Sequence, residues 1–90
     1  MKTIPIKTPI PGPKSQALLA RRKAAVSNSP FIVTPIFAER GSGASLTDVD
    51  GNTYLDFAGG IGTVNIGHAH PEVVAAAKAQ LDKFQHTCFN

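Results

Sequence analysis

The residues with chemical potential gather late in the chain. The stretch Asp56 to Pro71 reads DFAGGIGTVNIGHAHP and holds four glycines in nine positions, Gly59 to Gly67. Glycine at this density permits unusual backbone angles or close approach of another surface. Phosphate binding is the first chemistry to weigh. Gly60-Ile61-Gly62-Thr63-Val64-Asn65 falls short of the dinucleotide fingerprint: Asn65 stands where a third glycine belongs, and no helix is expected before Pro71. No P-loop lysine follows. A tight structural crossover, or the wall of a pocket shared with other protein, suits the glycines better.

Metal chemistry fares no better. His68 and His70 lie two apart, which does not put them together on a helix. No Cys stands nearby, and the two histidines are too few ligands for a tetrahedral set. Asp48, Asp50 and Asp56 suggest a carboxylate pair or calcium, but no EF-hand pattern surrounds them, and Asp50 is explained by a turn. Cys88 has only His86 close in sequence as an activating base, so a nucleophile there has little support.

The elements that must position the loop follow from local signals. Pro5, Pro9, Pro11 and Pro13 make residues 1–14 an extended arm. Ser15 is the expected N-cap of a helix running to about Val26, with Leu18, Leu19, Ala25 and Val26 on its apolar face and Arg21-Arg22-Lys23 on the solvated one. Ser27-Asn28-Ser29-Pro30 ends it. A strand meander is expected next: Ile36 to Arg40, a turn at Gly41-Ser42-Gly43, Ala44 to Val49, a hairpin turn at Asp50-Gly51-Asn52, and Thr53 to Phe57. Beyond the loop, Pro71 and Glu72 suit the first turn of a helix, and Val73, Val74, Ala77, Leu81 and Phe84 recur at helical spacing to about residue 85. The fold class is therefore α+β, with residues 15–90 forming an incomplete domain behind the arm.

Composition narrows the setting. Ninety residues suffice for one small domain or part of a larger one. Charged residues make up 17%, against about 25% in an average domain, which points to surface covered by more protein. A net charge of +3, spread out and without interleaved aromatics, gives no ground for nucleic acid. The prolines near the start interrupt any secretory signal, and no stretch approaches membrane-spanning length. One cysteine excludes an internal disulfide. The expectation is a soluble cytoplasmic protein. The last residues, Gln85 to Asn90, carry neither polar tail nor cap glycine and read as a cut rather than a natural end.

The run Asp48-Val49-Asp50-Gly51-Asn52-Thr53-Tyr54-Leu55-Asp56-Phe57, then Gly59-Gly60-Ile61, then Asn65-Ile66-Gly67-His68-Ala69-His70-Pro71, resembles the N-terminal part of class III pyridoxal-phosphate aminotransferases. Ile10-Pro11-Gly12-Pro13-Lys14-Ser15 and His86-Thr87-Cys88-Phe89 are similar to the bacterial 4-aminobutyrate aminotransferase subgroup; sister enzymes acting on acetylornithine, ornithine or β-alanine share the central motif. The resemblance covers nearly the whole chain. It implies the N-terminal part of the small domain of a type I aminotransferase fold, in a homodimer with active sites at the subunit interface. It implies pyridoxal 5'-phosphate as cofactor and a reaction moving the amino group of 4-aminobutyrate to 2-oxoglutarate. None of Lys2, Lys7, Lys14, Lys23, Lys78 or Lys83 occupies the Schiff-base lysine's motif, so the resemblance assigns no catalytic residue and no metal here, and predicts an inactive chain when alone. What it carries over is Ile61 as an apolar substrate-pocket residue, Asn90 as a second substrate-binding position, and Gly60 and Gly62 as backbone beside the pocket. Asp56, Asn65 and His68 are expected to fix the loop by hydrogen bonds. The reading from another class is a non-catalytic interaction module, in which loop and helix bind a partner chain.

Overall fold

A computed structural model describes residues 5–28 and 32–88. In chain order the elements are α1 (Pro13–Ala25), β1 (Ala38–Ser42), β2 (Ser45–Asp48), β3 (Thr53–Leu55), a single turn α2 (Gly59–Gly62) and α3 (Pro71–Leu81). The strands form one antiparallel sheet in the order β1-β2-β3. This is the expected α+β sequence of helix, meander, glycine-rich loop and helix.

Helix α1 is built from strong helix formers, PKSQALLARRKAA, with proline in its first turn and Arg22 and Lys23 in its last. Its start corrects the expected Ser15 N-cap. Gly12 is the N-cap and offers no side chain, while Ser15 lies buried inside the first turn. The capping acceptor comes from elsewhere. The Asp50 carboxylate takes the N–H of Lys14 at 2.7 Å and of Ser15 at 2.9 Å. A β-carbon on residue 12 would collide with Asp50 Cγ, so glycine there makes room for the carboxylate. Ser15 Oγ is left to accept the N–H of Phe37 at 3.3 Å.

The β2–β3 hairpin is organised by Asp48, which is fully buried. Its Oδ1 accepts the N–H of Asp50 (3.0 Å) and Asn52 (2.9 Å), and its Oδ2 accepts Tyr54 O–H (2.7 Å) and Asn52 Nδ2–H (3.2 Å). Burial pushes the Asp48 carboxyl up, but these four donors outweigh it and hold the group below the usual carboxylate range. The Tyr54 hydroxyl is pushed up to about 12, by burial and by its bond to that carboxylate. Asn52, also buried, receives Lys7 N–H (2.6 Å) and Thr8 N–H (3.0 Å) at Oδ1, and its Nδ2 donates to Thr8 Oγ1 at 2.7 Å. Thr53 N–H donates to the Pro5 carbonyl at 3.1 Å. The arm from Pro5 to Thr8 is thereby tied to the hairpin.

Strand boundaries differ from expectation in consistent ways. β1 begins two residues late and runs through Gly41 and Ser42, so the first reversal falls at Gly43 and Ala44. β3 stops at Leu55; the Asp56 N–H still meets the Ala44 carbonyl in register (2.8 Å), but its carboxylate binds the loop that follows. α3 ends at Leu81, with Asp82 as its C-cap.

Among the described residues the buried side chains are polar: Ser15, Thr47, Asp48 and Asn52. No apolar side chain among them is buried. The radius of gyration is 16.4 Å, against about 12 Å for a compact domain of this length. The chain is thus a polar knot around the hairpin, from which the glycine-rich loop and α3 extend.

Candidate functional site

The loop starts from Asp56. Its Oδ1 accepts the N–H of Ala58 (3.0 Å) and Gly59 (2.9 Å), and its Oδ2 lies 2.5 Å from His68 Nε2. The bond from His68, followed by the Gly59 N–H, holds the Asp56 carboxyl below the usual range. An ionised carboxylate only accepts, so His68 Nε2 carries the shared proton. His68 is pinned from its backbone as well, exchanging bonds of 2.8 and 3.0 Å with Gly43. Its ring packs so close to Gly41 that a β-carbon there would lie 2.7 Å from His68 Cγ.

Turn α2 is left-handed. Gly59, Gly60, Ile61 and Gly62 have φ of 56°, 63°, 59° and 75°. The ψ values of Gly60 and Ile61, 34° and 58°, complete left-handed helical geometry. Gly62 N–H reaches the Ala58 carbonyl and Thr63 N–H the Gly59 carbonyl, both at 2.9 Å. Such a turn costs an L-residue roughly 1–2 kcal/mol per position and glycine almost nothing. Three glycines remove that cost everywhere except at Ile61, whose branched side chain is 87% exposed. Thr63 Oγ1 closes the turn onto the carbonyls of Gly60 (3.1 Å) and Gly59 (3.3 Å).

Gly60 and Gly62 therefore build the turn that carries Ile61. Asn90 lies outside the described residues. His70 serves elsewhere, since its Nδ1 accepts Glu72 N–H at 3.3 Å and caps α3. The two histidines thus hold the loop and the helix respectively. Sequence reasoning expects Asp56, Asn65 and His68 to fix the loop; Asp56 and His68 do, whereas Asn65 only lines the clefts beside it. Thr63, given no role, has hydroxyl bonds three and four residues long that leave no signature beyond the residue type.

Two clefts flank the loop. One, of about 340 Å³, is lined by Gly43, Asp56, Gly59, Val64 and His68 among others; the second, of about 360 Å³, by Thr63, Val64, Ile66, Val73 and Val74 among others. Neither is lined by a lysine. The carboxylate present, Asp56, is committed to His68 and two N–H groups. These residues do not by themselves fit an aldehyde cofactor, which needs an amine to bond and an acid at its ring nitrogen. They supply no reaction centre by themselves.

Comparison with known proteins identifies the family. A family model described as aminotransferase class-III matches residues 26–90. The 4-aminobutyrate aminotransferase of Escherichia coli is 49% identical over 75 residues, and the 5-aminovalerate aminotransferase of Pseudomonas aeruginosa 48% over 75; each match covers 83% of this chain and 18% of the relative. A solved transaminase with PLP bound superposes with a TM-score of 0.68 at 38% identity, covering 82% of this chain and 19% of that one. The chain thus spans about 18% of the length of the curated relatives it matches. The matched stretch holds both the β2–β3 hairpin and the latched left-handed turn, and with a family model matched across most of its length the chain belongs to the class III aminotransferases.

Proposed function

We propose that this chain is the N-terminal part of a longer pyridoxal-phosphate enzyme, a cytoplasmic homodimer that moves the amino group of 4-aminobutyrate to 2-oxoglutarate, giving succinate semialdehyde and glutamate. The observation that carries this reading is the 49% identity to the Escherichia coli 4-aminobutyrate aminotransferase. The cofactor, its Schiff-base lysine and its phosphate-binding groups belong to residues beyond this chain, which alone is inactive. Within it, Ile61 supplies an apolar surface suited to the methylene chain of a short ω-amino acid, since burial of each methylene favours binding by about 0.8 kcal/mol. Gly60 and Gly62 hold the turn, and Asn90 is a further substrate-binding position. Arginines elsewhere in the protein hold the donor's carboxylate.

A second reading has its own support. The Pseudomonas aeruginosa relative, almost as similar, is named for 5-aminovalerate, one methylene longer. The test uses the full-length gene product. Its visible absorption is recorded while 4-aminobutyrate and then 2-oxoglutarate are titrated in. Loss of the yellow band with the amine and its return with the keto acid are expected. A yellow protein that responds to 5-aminovalerate and not to 4-aminobutyrate selects the second reading. A colourless protein that takes up no cofactor rejects both and favours the interaction module.

A further inference from the structure

A branched residue does not take left-handed geometry by preference. Such a conformation persists only where its surroundings over-determine it. Two sets of contacts do this for Ile61. On one side, the Thr63 hydroxyl holds the carbonyls of Gly59 and Gly60. On the other, the Asp56 carboxylate gathers the N–H groups of Ala58 and Gly59, where the turn begins. That carboxylate is itself aimed by His68 Nε2, twelve residues on. His68 in turn is fixed by the paired backbone bonds to Gly43 and by its packing on Gly41 in β1. A continuous series of contacts therefore runs from the sheet, through His68 and Asp56, into the turn, and ends at Ile61.

We infer that Asp56 and His68 are positioning residues for the amino donor: together they hold Ile61 where it gauges the length of the donor's methylene chain. This rests on the reading that Ile61 faces the donor. Neither residue touches substrate in this role. The carboxylate is fully engaged by His68 and the two N–H groups, and the proton on His68 Nε2 is committed to Asp56, so the pair acts on the backbone it holds. Loosening the pair releases the turn, and the apolar wall no longer meets one donor length better than another. A pocket contact of this kind separates substrates differing by one methylene by roughly 10–200-fold.

The test uses the full-length holoenzyme and compares kcat/KM for β-alanine, 4-aminobutyrate and 5-aminovalerate. His68→Ala is expected to flatten the preference among the three about tenfold, chiefly through KM, with cofactor content by visible absorption unchanged. His68→Gln, which keeps an N–H donor in reach of Asp56, restores most of the preference. In an Ile61→Ala background, His68→Ala alters the preference no further, because the two act through one contact. A uniform fall in kcat/KM for all three donors would overturn the inference and make the pair plain structural support. If Ile61→Ala itself leaves the preference unaltered, the pocket reading falls and takes the inference with it. If Ile61→Ala changes the preference and His68→Ala does not, the pocket reading stands and the positioning role is refuted. Should His68→Ala give no soluble holoenzyme, Asp56→Asn takes its place with the same expectations, since it keeps the side-chain volume but no longer presents two acceptor oxygens.

Discussion

The Asp50 carboxylate accepts the backbone N–H of Ser15 at 2.9 Å across 35 residues of sequence, and so the hairpin closes the N-terminus of a helix that precedes it. Together with the bond to Lys14 this is an N-cap supplied from a distant element. Replacing Asp50 by Ala leaves both N–H groups without that acceptor. The expected cost is about 1 kcal/mol, in the range measured for lost N-caps. Hydrogen exchange in the full-length protein reads it directly: the first turn of α1 should exchange about fivefold faster, since 1 kcal/mol is a factor of about five. Gly12→Ala should do the same by a different route, through the β-carbon that would collide with Asp50 Cγ. Unchanged exchange in both variants would mean that the cap carries no energy.

The Asp48–Tyr54 bond makes two opposite predictions about pH. Asp48 titrates lower in the folded chain than unfolded, so its contribution to stability is present above the ordinary carboxylate value near 4 and is lost as pH falls through the folded value. Tyr54 titrates higher when folded, at about 12 against an ordinary 10.0, so its contribution is whole below pH 10 and fades as pH rises toward 12. Tyr54→Phe should therefore remove the phenol's share of the alkaline decline and, by removing one donor from the Asp48 carboxylate, weaken the dependence at the acid end. Thermal midpoints of the full-length protein across pH test this. The ultraviolet difference between wild type and Tyr54→Phe should show one phenol ionising near 12; ionisation near 10 would show that the bond to Asp48 is not maintained.

Two glycines of the left-handed turn predict different outcomes for the same substitution. At Gly62 a β-carbon meets nothing within 4 Å, so Gly62→Ala bears only the backbone cost at φ 75°, roughly 1–2 kcal/mol. At Gly60 the β-carbon would also fall 2.6 Å from Thr63 Oγ1, the group that closes the turn. Gly60→Ala must therefore displace Thr63 as well as strain the backbone. Donor kcat/KM should fall further for Gly60→Ala than for Gly62→Ala, and Thr63→Ala combined with Gly60→Ala should be less than additive because both remove the same closure. Equal effects at the two glycines would mean that Thr63 does not hold the turn.

What was legible in the sequence was what local rules decide. Pro71 and Glu72 mark the start of α3 because proline and an acid both suit a helix N-terminus whatever lies around them. Gly51 marks the hairpin because its φ of 85° suits glycine. The left-handed turn was not legible: glycine signals that a positive φ is allowed, not that four successive residues adopt it. Ser15 was misplaced for a related reason. Serine is a better N-cap than glycine on propensity, but the Asp50 carboxylate arrives from the hairpin and favours the residue with no β-carbon. Of the candidate site, Asp56, Asn65 and His68 all read as loop-fixing hydrogen-bonders; the structure gives that role to Asp56 and His68, and for those two residues the part was legible. Their pairing was not, because it depends on the Gly43–His68 bridge that folds the loop back on the sheet.

The apolar surface makes the last prediction. Phe57 is 96% exposed, Ile61 87%, Val33 77% and Ile66 60%, and the α3 residues Val73 and Leu81 are more than half exposed. A stable monomer does not leave such residues uncovered while burying, among the described residues, only the side chains of Ser15, Thr47, Asp48 and Asn52. The polar knot fixes how hairpin, arm and α1 fit together, but hydrogen bonds contribute only about 1 kcal/mol each net of water, while ordering each residue costs about 1–2 kcal/mol. Without apolar burial those terms do not favour folding. Expressed as these 90 residues alone, the chain should show a broad, non-cooperative melt, bind a hydrophobic dye, and self-associate as concentration rises in sedimentation experiments. Held within a full-length protein, the same segment should be protected from hydrogen exchange at α3 and at β1–β3. A sharp two-state melt from a monomer of this chain would show that the knot is sufficient by itself, and would remove the reason for supposing that Phe57 and the α3 stripe are covered by more protein.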